Sequence, residues 1–107
     1  MSWSILLLAG LFEIVWAALL KVAATKQSWT VGSVTILTMV ASIWLLSQAM
    51  KQIPLGTAYA VWTGIGAVGA FVVGVVCFAE TVTAGRLISF VLLVAGLIGL
   101  SAQQSFK

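Results

Sequence analysis

Residues 55–79 read LGTAYAVWTGIGAVGAFVVGVVCFA, a run of 25 residues without a charged side chain. A helix needs about 20 apolar residues to cross the hydrocarbon core of a bilayer, so this stretch predicts a transmembrane helix. The whole chain has the same character, because only 7% of its 107 residues are charged, against about a quarter in soluble domains. The sequence therefore predicts an integral membrane protein.

Three further apolar stretches of similar length accompany this run. The pattern predicts four transmembrane helices, at about 3–21, 31–50, 55–79 and 86–105. Short connections between them carry most of the charged residues, as expected at a membrane interface. We therefore expect residues 1–107 to form a single transmembrane domain of the all-α class.

The composition excludes several classes of function. Five basic residues and a net charge of +3 provide no basic patch for nucleic acid. One cysteine and no histidine leave no zinc spacing and no disulfide framework. We expect no metal, no cofactor and no covalent catalysis, so the chain is not predicted to be an enzyme.

Glu13 is the charged residue that needs an explanation. It lies about 15 Å into the first span by helical rise, near the middle of the hydrocarbon core. A charged side chain there costs roughly 3 kcal/mol, and no basic residue inside the spans can pair with it. A protonated glutamate that hydrogen-bonds between helices is one interpretation. A binding site for a cation or a proton is the favoured one, because intramembrane carboxylates are usually functional.

Polar and aromatic side chains at overlapping predicted depths give this acid a set of expected neighbours. Trp16 follows Glu13 on the same helix face, and Ser42, Tyr59 and Trp62 come from the second and third spans. All four carry an N–H or O–H group, so we expect them to donate hydrogen bonds to the carboxylate. Tyr59 also fits an interfacial aromatic belt, whereas Trp16 and Trp62 lie too deep for one.

Glycines mark two of the spans. Gly64, Gly66 and Gly69 spell a dinucleotide-type motif, but no strand precedes it, so we interpret them as sites of close helix packing or bending. Gly96 and Gly99 lie in the last span, which has no polar residue at its centre. We predict that this span packs against another chain.

The small size of the chain predicts a dimer. Transporters usually place their site between two inverted repeats, and this chain has one membrane acid and no internal repeat. Three basic residues lie on one predicted side of the membrane and two on the other, which barely specifies an orientation. Two copies inserted in opposite orientations would supply the second half.

Residues 13–17 and 20–21, together with the run at 56–66, resemble the small multidrug resistance family and, within it, the guanidinium exporter subtype. The resemblance covers essentially the whole chain. It implies an antiparallel, dual-topology homodimer in the bacterial inner membrane that exports guanidinium-type cations in exchange for protons. It also implies that Glu13 binds proton or substrate in alternation, oriented by the four neighbours named above. Ser101 and the first connection depart from the family pattern.

Other functions remain open from the residues alone. A broad-specificity exporter of quaternary ammonium and other drug cations would belong to the same family. A dual-topology ion channel would also be small and rich in glycine. An accessory subunit of a paired transporter would not transport by itself.

Overall fold

Four helices and three short connections make up the described chain. The computed structural model describes residues 2–105, without the side chains at 101, 104 and 105. Its helices are α1 (Ser2–Lys26), α2 (Trp29–Ala49), α3 (Leu55–Cys77) and α4 (Ala84–Ser105). Lys107, which enters the predicted charge balance, and the side chain of Ser101 lie outside what is described.

The helical class predicted from the sequence is confirmed, and three of the four predicted spans meet the length expected of a membrane helix. Helices α1, α2 and α3 are each long and apolar enough to cross a bilayer. The apolar part of α4, Ala84–Leu100, is shorter. The fourth span therefore stays a prediction.

Helices α2 and α4 each begin two residues earlier than predicted. The last residues of α1 and α3 also differ from the predicted positions, and each of these differences has a local cause. Helix α1 continues to Lys26 and stops before Gln27, whose φ of 52° is left-handed. Helix α3 ends at Cys77, because the hydrogen bonds of the following turn no longer have the α-helical pattern throughout. There Ala79 takes a φ of 54°, and the amide of Glu80 donates to the carbonyl of Gly74 at 3.0 Å.

Contacts at the two ends of the bundle fix the directions of the helices. The Ser2 hydroxyl donates to Gln52 Oε1 at 2.7 Å, so the start of α1 lies beside the connection between α2 and α3. At the other end, Lys21 Nζ lies 5.5 Å from the centre of the Phe78 ring. Helices α1 and α3 therefore run in the same direction, with α2 antiparallel to both.

The helices lie almost side by side. Helix α1 packs extensively on α2 and α3, α2 barely meets α3, and within the described residues α4 contacts α3 alone. The result measures 46 × 34 × 16 Å, and its thin dimension is little more than one helix diameter of about 10–12 Å. Few residues are buried inside one chain, and much of α4 is uncovered.

Candidate functional site around Glu13

The carboxylate of Glu13 packs directly against α3 at Gly66. A Cβ added to Gly66 would overlap Glu13 Oε1 and Cδ, so any larger residue here would force the acid into another position. Each residue stands eleven positions after the start of its helix, about 16 Å along the axis, so the contact lies deep within the bundle. Glu13 therefore lies near the middle of α1 and α3 along their axes, and not near either end of the bundle.

Close packing of α1 on α3 continues on both sides of this contact. A Cβ added to Gly10 would lie 2.7 Å from Ile65 Cγ2, and one added to Gly69 would overlap Ile14. Small residues allow membrane helices to approach closely and gain van der Waals contact without a hydrophobic driving force. These contacts fix the distance between the helix that carries the acid and the helix beside it.

A hydrogen-bonded group lies one helical turn from Glu13. The buried Ser42 hydroxyl donates to the carbonyl of Ala9 at 2.7 Å, and Trp62 Nε1 donates to Ser42 Oγ at 3.0 Å. Ala9 and Trp62 stand seven positions after the starts of α1 and α3, and Ser42 stands seven before the end of α2. Ala9, Ser42 and Trp62 therefore form one layer, which joins all three helices.

This layer differs from the expected set of donors around the acid. Ser42 and Trp62 were expected to donate to the carboxylate, but their hydrogens point to Ala9 and to Ser42 instead. The reason is depth, since the layer lies four residues, about 6 Å, from Glu13 along α1. Their connection to Glu13 is through the backbone, because in a helix the carbonyl of residue 9 also accepts the amide hydrogen of residue 13.

Two polar side-chain atoms on α1, from residues three positions apart, lack hydrogen-bond partners. Among the described residues, Glu13 Oε1 and Trp16 Nε1 are the buried side-chain atoms without a hydrogen bond. Buried polar groups are satisfied in the great majority of cases, so an unpaired acceptor and an unpaired donor one turn apart indicate a place that receives a ligand. The carboxylate can accept a proton or hold a cation, and the indole N–H can donate to a second atom.

Tyr59 occupies the border of this region. Its ring centre lies 5.6 Å from that of Trp62, with the planes tilted by 48°, a favourable aromatic geometry. The residue is 52% exposed, so about half of its surface is uncovered in the single chain. The structure therefore brings Tyr59 to Trp62 and leaves one of its sides uncovered.

The remaining predicted glycines fall into two groups. A Cβ on Gly64 would lie 2.5 Å from Leu97 Cδ1, so this glycine faces α4 just as Gly66 faces α1. Gly96 and Gly99 have nothing within 4 Å of an added Cβ. Their small faces are open in the single chain.

Sequence reasoning missed a cluster at the far end of α1. Glu80 and Arg86 lie in the last connection and near the start of α4, where charged residues were expected only as part of the membrane interface. Both side chains stay more than a third exposed, yet Arg86 lies 3.4 Å from Glu80 Oε1, donates to the carbonyl of Thr81 at 2.7 Å and stacks over the Phe71 ring at 4.8 Å. Lys21 borders the same region. The signal available in the sequence was that the only other acid, Glu80, lies six residues before an arginine.

Comparison with known proteins decides the family. Residues 1–93 match the family model of the Small Multidrug Resistance protein, a range that contains Glu13 and all of its predicted neighbours. The chain belongs to the small multidrug resistance family. Membership of this family and the long apolar helices together show that the chain is a multi-pass membrane protein. The family resemblance found in the sequence is confirmed.

Members of the family with similar sequences have names that state a substrate. The guanidinium exporter of Salmonella typhimurium strain LT2 is 54% identical over 100 residues, covering 94% of this chain and 95% of the relative. Guanidinium exporters of Citrobacter freundii and Yersinia pseudotuberculosis are 52% and 48% identical over the same length, covering 94% of this chain and 95% and 96% of the relatives.

Proposed function

We propose that the chain exports guanidinium-type small cations across the bacterial inner membrane in exchange for protons, and that it works as an antiparallel homodimer. The Glu13 carboxylate binds proton and cation in alternation. Trp16, Ser42, Tyr59 and Trp62 shape or contact the site. The relatives named guanidinium exporter, each covering most of this chain, support the choice of cation.

The observation that carries the proposal is the placement of Glu13. Its carboxylate lies deep within three apolar helices, against Gly66, and Oε1 has no hydrogen-bond partner. A carboxylate in a medium of low dielectric is unfavourable without a neutralising partner. A proton or a bound cation supplies that partner, and each excludes the other from the same oxygen atoms.

The shape of the neighbourhood favours a small planar cation. A guanidinium ion stays charged at physiological pH and presents parallel N–H groups that match the two oxygens of a carboxylate. Trp16 places a bulky indole one helical turn from Glu13, on the same face of α1. An indole there reduces the space for a large drug cation while leaving a flat surface on which guanidinium can stack.

Competition at one carboxylate couples the two fluxes. On the side where protons are abundant, a proton displaces the cation from Glu13, so the cation leaves to that side. The proton leaves the carboxylate on the opposite side, where protons are scarcer and a new cation binds. The sign of the pH dependence follows, since only the deprotonated acid binds guanidinium. Apparent affinity for guanidinium should therefore rise as pH rises, and reach a plateau once Glu13 is fully deprotonated.

Unpartnered surfaces support the dimer. Helix α4 contacts only α3 within the described chain, while Gly96 and Gly99 are open and Tyr59 is half exposed. A second copy packed on α4 would bury these apolar surfaces. The small difference in basic residues between the two sides allows the copies to insert in opposite orientations.

The test is guanidinium-driven proton movement in liposomes that contain only this purified chain. A guanidinium gradient should move protons in the opposite direction, and Glu13→Gln should abolish that movement while the protein stays folded and dimeric. Glutamine keeps the shape and hydrogen bonding of the side chain but cannot exchange a proton. Glu13→Asp, which keeps the carboxylate, should retain measurable coupling.

Each alternative class predicts a different result. Transport of large aromatic cations in preference to guanidinium would favour a broad drug exporter. Ion flux without opposed proton flux would indicate a channel, and no transport by the chain alone would indicate an accessory subunit. Normal coupling in Glu13→Gln would remove Glu13 from the mechanism.

A further inference from the structure

A cleft lies between α1 and α3 on the side of Glu13 away from the Ser42 layer. It is a partly open groove of about 190 Å³, and half of its lining residues are alanine or glycine, among them Ala17, Ala70 and Gly74. Lys21 and Glu80 border it at the end where the chain leaves the bundle. A water molecule occupies about 30 Å³ of liquid, so the cleft has room for several waters between a deep end and a charged mouth.

The two acids of the chain mark the two ends of this cleft. Glu13 packs on Gly66, and a Cβ added to Gly74 would lie 2.6 Å from Glu80 Oε1. Gly66 and Gly74 are eight residues apart on one face of α3, about 12 Å along its axis, with Ala70 midway between them. Both acids in the sequence thus lie against the same glycine-lined face of one helix.

We infer that the cleft between α1 and α3 is a route by which protons travel between the membrane surface and Glu13, and that Glu80 is the group that collects and releases them at its mouth. The inference rests on the proposed function. It adds a second acid and a path within each protomer that is separate from the cation site.

The cleft stops one helical turn short of Glu13. Its inner end, at Ala17 and Ala70, lies about 6 Å from Glu13 along α1, and Ile14 packs on Gly69 between them. Proton passage over this last turn therefore requires Ile14 to move off Gly69. When guanidinium binds Glu13, the carboxyl proton passes to water in the cleft and on to Glu80. Glu80 then releases that proton to bulk water and returns to its charged form.

The charges at the mouth suit a relay. Arg86 lies 3.4 Å from the Glu80 carboxylate, and Lys21 borders the same cleft, so the anionic form of Glu80 is compensated after each release. The same two positive groups disfavour the entry of a cation by this way. The cleft therefore admits protons through water while guanidinium uses another opening.

In the proposed dimer this arrangement serves both sides of the membrane. Each copy carries its own cleft, and opposite insertion places one mouth at each surface.

The test measures how fast protons appear when guanidinium chloride is mixed with the purified native dimer in detergent, using a pH indicator in weak buffer. Ala70→Leu fills the cleft, and Ala67→Leu adds the same atoms on an exposed face of α3 as a control. Glu80→Gln removes the mouth acid, and Arg86→Gln breaks the same ion pair but keeps the acid. Guanidinium affinity is measured at equilibrium for each variant.

We expect Ala70→Leu and Glu80→Gln to slow proton release about tenfold at unchanged affinity, less than the 10²-fold or more typical of a positioned proton-transfer group, because water still reaches the cleft. Ala67→Leu should release protons at the native rate. Arg86→Gln, which keeps the acid and removes the charge beside it, should slow release less than Glu80→Gln does. A mobile buffer acid, added at a concentration too low to mask the indicator, should raise the rate in Glu80→Gln, where it replaces the lost group, but not in Ala70→Leu.

The outcomes separate this inference from the proposed function. Normal rates in both Ala70→Leu and Glu80→Gln overturn the route while leaving the exporter intact. If a variant slows proton release and weakens guanidinium binding equally, the residue has a structural role and the route is overturned. The same conclusion follows if added buffer does not restore proton release in Glu80→Gln. If Ala70→Leu does not fold, Glu80→Gln with and without buffer decides. A native dimer that releases no protons overturns the proposed function and the route together.

Discussion

Removing the Ser42 hydroxyl tests whether the layer of Ala9, Ser42 and Trp62 holds the three site helices together. Ser42→Ala deletes one bond to the Ala9 carbonyl at 2.7 Å and one from Trp62 Nε1 at 3.0 Å. The carbonyl keeps its helical partner, whereas the indole N–H is left buried without an acceptor. The variant should therefore be destabilised mainly through Trp62.

The expected size follows from those two bonds. Hydrogen bonds between membrane helices are worth about 0.6 kcal/mol on average and about 1.7 at most, and an unsatisfied buried donor costs roughly 1–3 kcal/mol. We expect Ser42→Ala to lower the free energy of unfolding by about 1–3 kcal/mol. Ser33→Ala is the matched control, because the Ser33 hydroxyl bonds only the carbonyl of Trp29 in its own helix, and it should change stability by less than about 0.5 kcal/mol.

The assay is unfolding in mixed micelles as the fraction of denaturing detergent rises, followed by helical circular dichroism and tryptophan fluorescence. A double-mutant cycle with Trp62→Phe adds a check, since both changes remove the same bond and their effects should be less than additive. Equal effects of Ser42→Ala and Ser33→Ala, or strict additivity in the cycle, would refute the role given to the layer. If Ser42→Ala weakens guanidinium binding, the loss of affinity relative to the native protein should be the same at every pH from 6 to 9. The reason is that the Ser42 hydrogen does not point to Glu13.

Three other predictions follow from local geometry. Gly66→Ala should weaken guanidinium binding measured at equilibrium and cost about 1–3 kcal/mol of stability, because its Cβ overlaps the acid, whereas Gly32→Ala, with open space around it, should be neutral in both assays. Two lysines inserted beside Gln52 should fix one orientation and lower transport when that variant is expressed alone. In an otherwise native chain whose single cysteine is replaced, a cysteine introduced by Gln27→Cys should be labelled from both sides of the membrane. Labelling from one side only would contradict dual topology. Ala79→Gly should raise the free energy of unfolding in mixed micelles by about 0.5–1 kcal/mol, since φ there is 54°, and a loss of stability would show that this turn carries no strain.

The number and approximate position of the helices could be predicted because a bilayer demands long apolar segments of every helix that crosses it. The order of packing could not. The helices are apolar on all sides, so no polar face tells which side of α1 meets α2 and which meets α3. The ends of α1 and α3 were predicted less well, because Gln27 and Ala79 stop helices in a left-handed conformation that neither residue type signals.

The site could be predicted as a set of residues but not as a set of bonds. Glu13 is conspicuous as the one acid inside a span, and the aromatic and hydroxyl residues of neighbouring spans fall near it by counting. Counting carries an uncertainty of about one turn, and one turn is what separates the Ser42 layer from the carboxylate. The part played by Ala9 was not predicted for a different reason. Ala9 accepts the Ser42 hydrogen bond through its backbone carbonyl, and its side chain gives no sign of this.

Helix α3 connects the acid to the rest of the proposed dimer. Within the described chain it is the only helix that contacts both α1 and α4. Two of its glycines, two residues apart, make the two contacts, Gly64 with Leu97 of α4 and Gly66 with Glu13 of α1. In both contacts the glycine faces the outer atoms of a flexible side chain, so a shift of α4 or of α3 would first change the rotamer of Leu97 or of Glu13. Helix α3 is therefore the element through which a change at the proposed dimer surface would reach the acid.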